Sequence, residues 1–74
     1  MAYFEAGSEA MIELEAMVDK VGLANVLWAL SSICAAKAEH VAHDWQDTKL
    51  GKIWESDARK VARAAREVKD PLAA

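Results

Sequence analysis

The stretches LANVLWALSSICAAKAEHVAHDW, at residues 23–45, and TKLGKIWESDARKVARAAREV, at residues 48–68, decide the fold. In both, apolar residues recur every three or four positions, which places them on one side of an α-helix. The first apolar stripe consists of Leu23, Val26, Leu27, Leu30, Ile33, Cys34, Ala38, Val41 and Trp45. The second consists of Leu50, Ile53, Trp54, Ala58, Val61, Ala65 and Val68. We therefore predict two long helices of similar length.

Only a few residues around Gln46 connect these two helices, and Asp47 suits the N-cap of the second. A connection this short requires an antiparallel pair, so residues that face each other have numbers that sum to about 94. That rule places Lys37 opposite Asp57, a carboxylate that falls inside the apolar stripe. Because an unpaired carboxylate there is destabilising, we predict a structural ion pair between Lys37 and Asp57.

A shorter helix precedes this hairpin, from Glu9 to about Lys20. Ser8 suits its N-cap and Gly22 its C-terminal stop. Its apolar side consists of Ala10, Met11, Leu14, Met17, Val18 and Val21. The sequence thus predicts an all-α fold: a small three-helix domain in which short helix 1 packs on a long antiparallel hairpin of helices 2 and 3.

The ends of the chain define the limits of this domain. Residues 1–7, with Tyr3 and Phe4, show no periodicity and are interpreted as an N-terminal arm. The last helix is expected to end before Pro71, which leaves residues 71–74 as a C-terminal tail. The single domain therefore spans residues 8–70.

Length and composition restrict the class of protein. A chain of 74 residues buries roughly 60% of its unfolded surface, so its core is marginal and self-association is a common supplement. Cys34 is the only cysteine, the N-terminus lacks a basic and apolar leader, and no apolar run approaches the roughly 20 residues of a membrane helix. We expect a cytoplasmic protein with no membrane span.

Charge is distributed unevenly along the chain. The formal net charge is −3, yet residues 1–27 carry five acids and one base, whereas residues 48–70 carry four acids and seven bases. An acidic first part and a basic last part indicate two surfaces of opposite sign.

No motif in the sequence predicts catalysis or cofactor binding. Cys34 has no base one helical turn away, and the HExxH spacing of zinc hydrolases is absent. His40 and His43 are predicted on the outer side of helix 2, where a metal site with Asp44 is the weaker alternative to solvated side chains. We predict no enzymatic activity, no cofactor and no metal.

The most informative residue is Trp28, which projects about 140° away from the centre of its helix's apolar stripe. It lies there among small residues, namely Ala24, Ser31, Ser32 and Ala35. On helix 1, Ile12 also points away from its stripe. Either the N-terminal arm covers Trp28, or Trp28 is an anchor for a partner, since tryptophan is enriched at such positions.

These features predict a non-enzymatic protein-protein interaction module, either a homodimer or a small accessory or inhibitor protein, of the phage or bacterial kind, that binds a larger partner. Its expected contact residues are Trp28, Ile12, Ser32, Ala35, Arg59, Arg63 and Arg66. The arginines would bind carboxylates, and the acidic helix 1 of one molecule could contact the basic face of helix 3 of another. The alternative is a nucleic-acid-binding protein that uses the basic face of helix 3, formed by Lys52, Arg59, Arg63 and Arg66.

Overall fold

Three helices make up the part of the chain that the computed structural model describes, residues 5–69. They are α1 (Glu9–Val21), α2 (Leu23–His43) and α3 (Thr48–Glu67). The helices α2 and α3 pack extensively on each other as an antiparallel hairpin, and α1 packs less, against α2. The predicted class, a small all-α domain of three helices, is confirmed.

Local side-chain and backbone hydrogen bonds set the helix ends. The Met11 N–H donates to Ser8 Oγ at 3.2 Å, and the Leu50 N–H donates to Asp47 Oδ1 at 2.9 Å. The Gly22 N–H donates to the Val18 carbonyl oxygen at 2.8 Å in the last helical bond of α1, and the backbone of Gly22, with φ 93°, ends the helix. The predicted caps and the glycine stop are therefore confirmed: each cap oxygen accepts from a backbone N–H that the helix itself leaves unpaired.

We expect Asp47→Ala to lower the free energy of unfolding by about 1 kcal/mol, because the Leu50 N–H loses its acceptor at the start of α3. Asp47→Asn keeps an acceptor oxygen and should retain most of that stability. Urea titrations followed by circular dichroism measure both variants. Equal stability of Asp47→Ala and wild type would show that the cap contributes nothing.

Small residues form the contact between α2 and α3. A Cβ atom added to Gly51 would lie 3.0 Å from Ala42 Cβ and 3.1 Å from the Ala38 carbonyl oxygen, so the two backbones approach very closely there. Further along, Ser31 Oγ donates to the Ala58 carbonyl oxygen at 2.8 Å. Both contacts join residues that an antiparallel pair with a short connection places opposite each other.

The predicted apolar stripe of α2 is only partly correct. Ser31 faces α3 instead of lying on the outer surface, and α2 is thus rotated about its axis relative to the prediction. Leu30 and Ile33 are exposed, although both were expected in the core. The buried apolar residues are small or medium in size, namely Val26, Ala38, Val41, Ala58 and Ala65. The physical reason is that a close approach at Gly51 admits only small side chains between the helices.

Two further expectations about the hairpin do not hold. Trp45 does not close the core: α2 ends at His43, and the Trp45 side chain is 65% exposed, with its ring edge-on to His40 at 5.6 Å between centroids. No ion pair joins Lys37 to Asp57 within residues 5–69. Lys37 is exposed and Asp57 is half-buried, so neither charge is fully removed from solvent and neither requires a partner.

The direction of α1 depends on Gly22. This single residue joins α1 to α2 with φ 93° and ψ 152°, and the two helix axes meet at a bend of 116°. As a result α1 contacts α2 and does not contact α3, and none of its residues is buried.

Within the described residues, no single helix is long and apolar enough to cross a membrane. Only α1 and α2 taken together have that length and apolar character, and the 116° bend separates them.

Candidate interaction surface

Trp28 lies under the guanidinium group of Arg66, with Arg66 Cζ 5.9 Å from the centroid of the indole ring. This distance is within the range of a cation–π contact. The Trp28 side chain is still 42% exposed, so the ring remains accessible beside the arginine. The pairing rule puts Trp28 and Arg66 at the same level of the hairpin, but sequence reasoning missed their contact because it depends on how α2 is rotated against α3.

We call the surface around this pair the Trp28 face. A groove of about 350 Å³ continues it along the hairpin, between Ala35 on α2 and Glu55 on α3. Ser32 lies one turn after Trp28 on the same side of α2 and is exposed. The residues that define the Trp28 face are Trp28, Ser32 and Ala35 on α2, and Glu55, Arg59 and Arg66 on α3. The structure therefore brings five of the seven predicted contact residues to one side of the hairpin.

The basic stripe of α3 is not a row of equivalent cations. Arg59 Nη1 lies 3.0 Å from Glu55 Oε1, an exposed ion pair one helical turn apart, and Arg66 covers Trp28. Arg63 and Lys52 are exposed. Because an exposed pair of this kind contributes only a few tenths of a kcal/mol, about 0.3–0.5, Arg59 can exchange Glu55 for another carboxylate at little cost.

Two predicted elements of this surface lie elsewhere. Ile12 is 58% exposed on α1, and because α1 does not contact α3, it is not beside the arginines. Ser31 was predicted beside Trp28, but its hydroxyl points towards Ala58. The N-terminal arm that could cover Trp28 contains Tyr3 and Phe4, which lie outside the described residues.

The histidines form a small polar cluster at the end of α2. His40 Nδ1 lies 2.8 Å from Asp44 Oδ2, and His43 Nδ1 lies 3.1 Å from Asp44 Oδ1, so both rings meet one carboxylate. All three side chains are exposed. Across residues 5–69, no group of three or more His, Cys, Asp or Glu residues is arranged to hold a metal ion. Cys34 is half-buried and not disulfide-bonded.

A second apolar surface lies on the opposite side of the hairpin, and we call it the Ile33 face. Ser31 faces α3. At 100° per residue around the α2 axis, Trp28 lies about 60° to one side of Ser31, and Leu30 lies about 100° to the other side. Ile33 lies about 160° from Ser31, on the same side as Leu30, and Ile53 lies about 160° from Gly51, on the side of α3 away from Arg66, so both project at the outer edges of the hairpin. The Ile33 face consists of Leu30 and Ile33 on α2 and Ile53 on α3. Ile33 is 52% exposed and Ile53 is 58% exposed.

The fold and these two faces define a small all-α domain whose large apolar side chains lie mainly at the surface. Scans against protein-family models, curated proteins and solved structures gave no match to the chain. The argument about function therefore depends on the surface chemistry of this chain alone.

Proposed function

We propose that the chain is a non-enzymatic protein-protein interaction module. The observation that carries this proposal is the exposure of ten large apolar side chains within the described residues: Met11, Ile12, Met17, Val21, Leu23, Trp28, Leu30, Ile33, Trp45 and Ile53. Monomeric proteins bury most side chains of this kind, and contiguous exposed apolar patches mark interaction sites. The apolar surface of this domain is therefore suited to contact with another protein.

The Trp28 face supports the proposal by its chemistry. Tryptophan and arginine are the residues most enriched at the energetic centres of protein interfaces. Here the Arg66 guanidinium is already held over the Trp28 ring, so less side-chain freedom is lost when a partner binds. A partner that fits this face presents an apolar pocket for the indole and carboxylates for Arg66 and Arg59.

We expect Trp28→Glu to abolish partner binding, because it places an unpaired charge at the centre of the Trp28 face. The matched control is Ala29→Glu, which adds the same charge one residue along, about 100° around the helix. Tagged wild type and both variants capture proteins from a nuclease-treated lysate of the source cells. Captured partners should fall at least tenfold with Trp28→Glu, a loss of about 1.4 kcal/mol or more.

The same capture experiment can contradict the proposal. Captured partners that are retained equally by wild type, Trp28→Glu and Ala29→Glu would show that the Trp28 face binds no protein. Circular dichroism of the three proteins checks that each is helical, so that a loss of binding is not a loss of fold.

Nucleic-acid binding by α3 is the second candidate, and one observation favours it. The Trp28 ring lies beside Arg66, and an aromatic ring next to cations is the combination that single-stranded nucleic acids bind. Anisotropy of a labelled strand of about 20 nucleotides, at about 50 and 200 mM salt, tests this candidate. Tight binding that weakens steeply with salt and is lost in Arg63→Glu would assign the surface to nucleic acid instead of protein.

A further inference from the structure

We infer that a second copy of this chain closes the Ile33 face, with α1 of each copy packed on the α2/α3 hairpin of the other. This inference goes beyond the proposed function, because it concerns the face opposite Trp28. A foreign partner on the Trp28 face and a second copy on the Ile33 face are compatible with each other.

The hairpin supplies the first half of this contact. Leu30, Ile33 and Ile53 are exposed on this side of the hairpin, and α1 of the same chain does not contact α3. A third helix laid along this face would complete a three-helix core in which these side chains become buried. The hairpin therefore lacks one helix on this side.

The first helix supplies the second half. No residue of α1 is buried, and Met11, Met17 and Val21 of its apolar stripe are exposed, whereas Leu14 and Val18 are half-buried. A helix of 13 residues is marginal in water without packing of its apolar side. Each chain therefore exposes an apolar stripe on α1 and an apolar face on its hairpin, and a helix of the first kind could cover a face of the second.

The geometry at Gly22 keeps α1 from running along the hairpin of its own chain, so that α1 contacts α2 but not α3. A helix that packs along the hairpin runs roughly 20° from antiparallel, which requires a reversal of about 160°. The bend between α1 and α2 is 116°, and it follows from one buried residue at φ 93° and ψ 152°. Because α1 leaves the hairpin at this angle, the α1 that covers an Ile33 face comes from another molecule. A twofold axis then makes the contact twice.

Charge complementarity identifies the partner as a second copy. α1 carries four acids and one base, a net charge of −3, whereas α3 carries three acids and six bases, a net charge of +3. The lysines at the edges of the Ile33 face are exposed, namely Lys37, Lys49 and Lys60. Glu13 and Glu15 flank the apolar stripe of α1 on its two sides. Acidic edges of α1 thus match basic edges of the Ile33 face.

The area that this assembly would bury is ordinary for a protein dimer. A standard protein interface buries about 800 Å² on each partner. Two reciprocal contacts between α1 and a hairpin can remove an area of that size from water on each chain.

The test uses two charge-reversed variants of the full chain. In variant A, Glu13, Glu15 and Asp19 are replaced by Lys, so that both α1 and the Ile33 face are basic. In variant B, Lys37, Lys49 and Lys60 are replaced by Glu, so that both are acidic. Light scattering during size-exclusion chromatography measures the absolute mass of wild type, A, B and an equimolar mixture of A and B.

We expect wild type to have twice the 8.1 kDa chain mass, and A and B alone to be monomers whose dimerisation is weakened at least tenfold. The mixture should form a dimer again, since α1 of A meets the face of B and α1 of B meets the face of A. A monomeric wild type over a hundredfold concentration range overturns the inference. A wild-type dimer without recovery in the mixture also overturns it, because the copies then associate in another way.

A second measurement needs no variant and covers the case in which A or B does not fold. Wild type labelled with ¹³C is mixed with unlabelled wild type, and isotope-filtered NOE spectra report contacts between copies. Methyl contacts from Met11 and Met17 to Ile33 and Ile53 across copies support the inference, and a dimer without them contradicts it. Neither experiment depends on Trp28, so failure here leaves the capture result on the Trp28 face standing, and the reverse also holds.

Discussion

Gly51→Leu is expected to lower the free energy of unfolding by about 3 kcal/mol, the largest effect of a single substitution in this domain. Even a Cβ atom at this position would lie 3.0 Å from Ala42 Cβ and 3.1 Å from the Ala38 carbonyl oxygen. Both neighbours belong to the α2 helix itself, so they can move only if α2 and α3 separate. Because a domain of this size has a total stability on the order of 5 kcal/mol, the variant should be close to unfolding at room temperature.

Guanidinium titrations followed by circular dichroism measure this effect. Lys52→Leu is the matched control: it adds leucine at the neighbouring exposed position and should change stability by less than about 0.5 kcal/mol. Gly51→Ala should lie near wild type, within about 1 kcal/mol, because the gain in helix propensity offsets the strain of a tight contact. A Gly51→Leu protein as stable as the control would mean that the helices do not approach closely at Gly51.

Gly22→Ala is expected to lower the free energy of unfolding by about 2 kcal/mol, because L-residues rarely adopt its backbone conformation. Gly22 has φ 93° and ψ 152°, and it is the single residue between α1 and α2. A side chain there forces either strain or a new direction of α1. We therefore expect Gly22→Ala also to weaken the dimer that we infer, since the proposed reciprocal contact depends on the angle at which α1 leaves the hairpin.

A chain made by chemical synthesis with D-alanine at position 22 separates backbone strain from the effect of added volume. D-alanine accepts positive φ, so the protein with D-alanine should be more stable than the one with L-alanine by about 1–2 kcal/mol. Thermal and denaturant unfolding compare the two proteins and wild type. If L-alanine and D-alanine destabilise the protein equally, the conformation of Gly22 is not the cause.

The elements of this fold could be predicted from sequence because their causes are local. Ser8 and Asp47 cap helices through backbone groups three residues away, and Gly22 ends α1 through its positive φ. The short connection after α2 also required an antiparallel hairpin. Each of these features depends on residues that are close in the chain.

The candidate site was predictable only in part. The outward direction of Trp28 followed from helical periodicity, and its exposure agrees with that prediction. The contact with Arg66 and the ion pair of Arg59 with Glu55 appear only in the structure. The Trp28–Arg66 contact depends on the rotation of α2 against α3, which periodicity alone does not specify.

Hydrophobic pattern alone assigned Leu30, Ile33 and Trp45 to the core, because a pattern reports which residues share a side and not which side meets a neighbouring helix. The structure places Ser31 and Ala42 in the contact beside Ala38, which the pattern had also assigned to the core, since Gly51 lets the backbones come closer than larger side chains permit. Helix identity, helix ends and charge distribution thus follow from neighbouring residues. Only tertiary packing decided which apolar side chains are exposed to solvent. The closest contact between α2 and α3 admits small side chains and excludes large ones, even when the large ones are apolar.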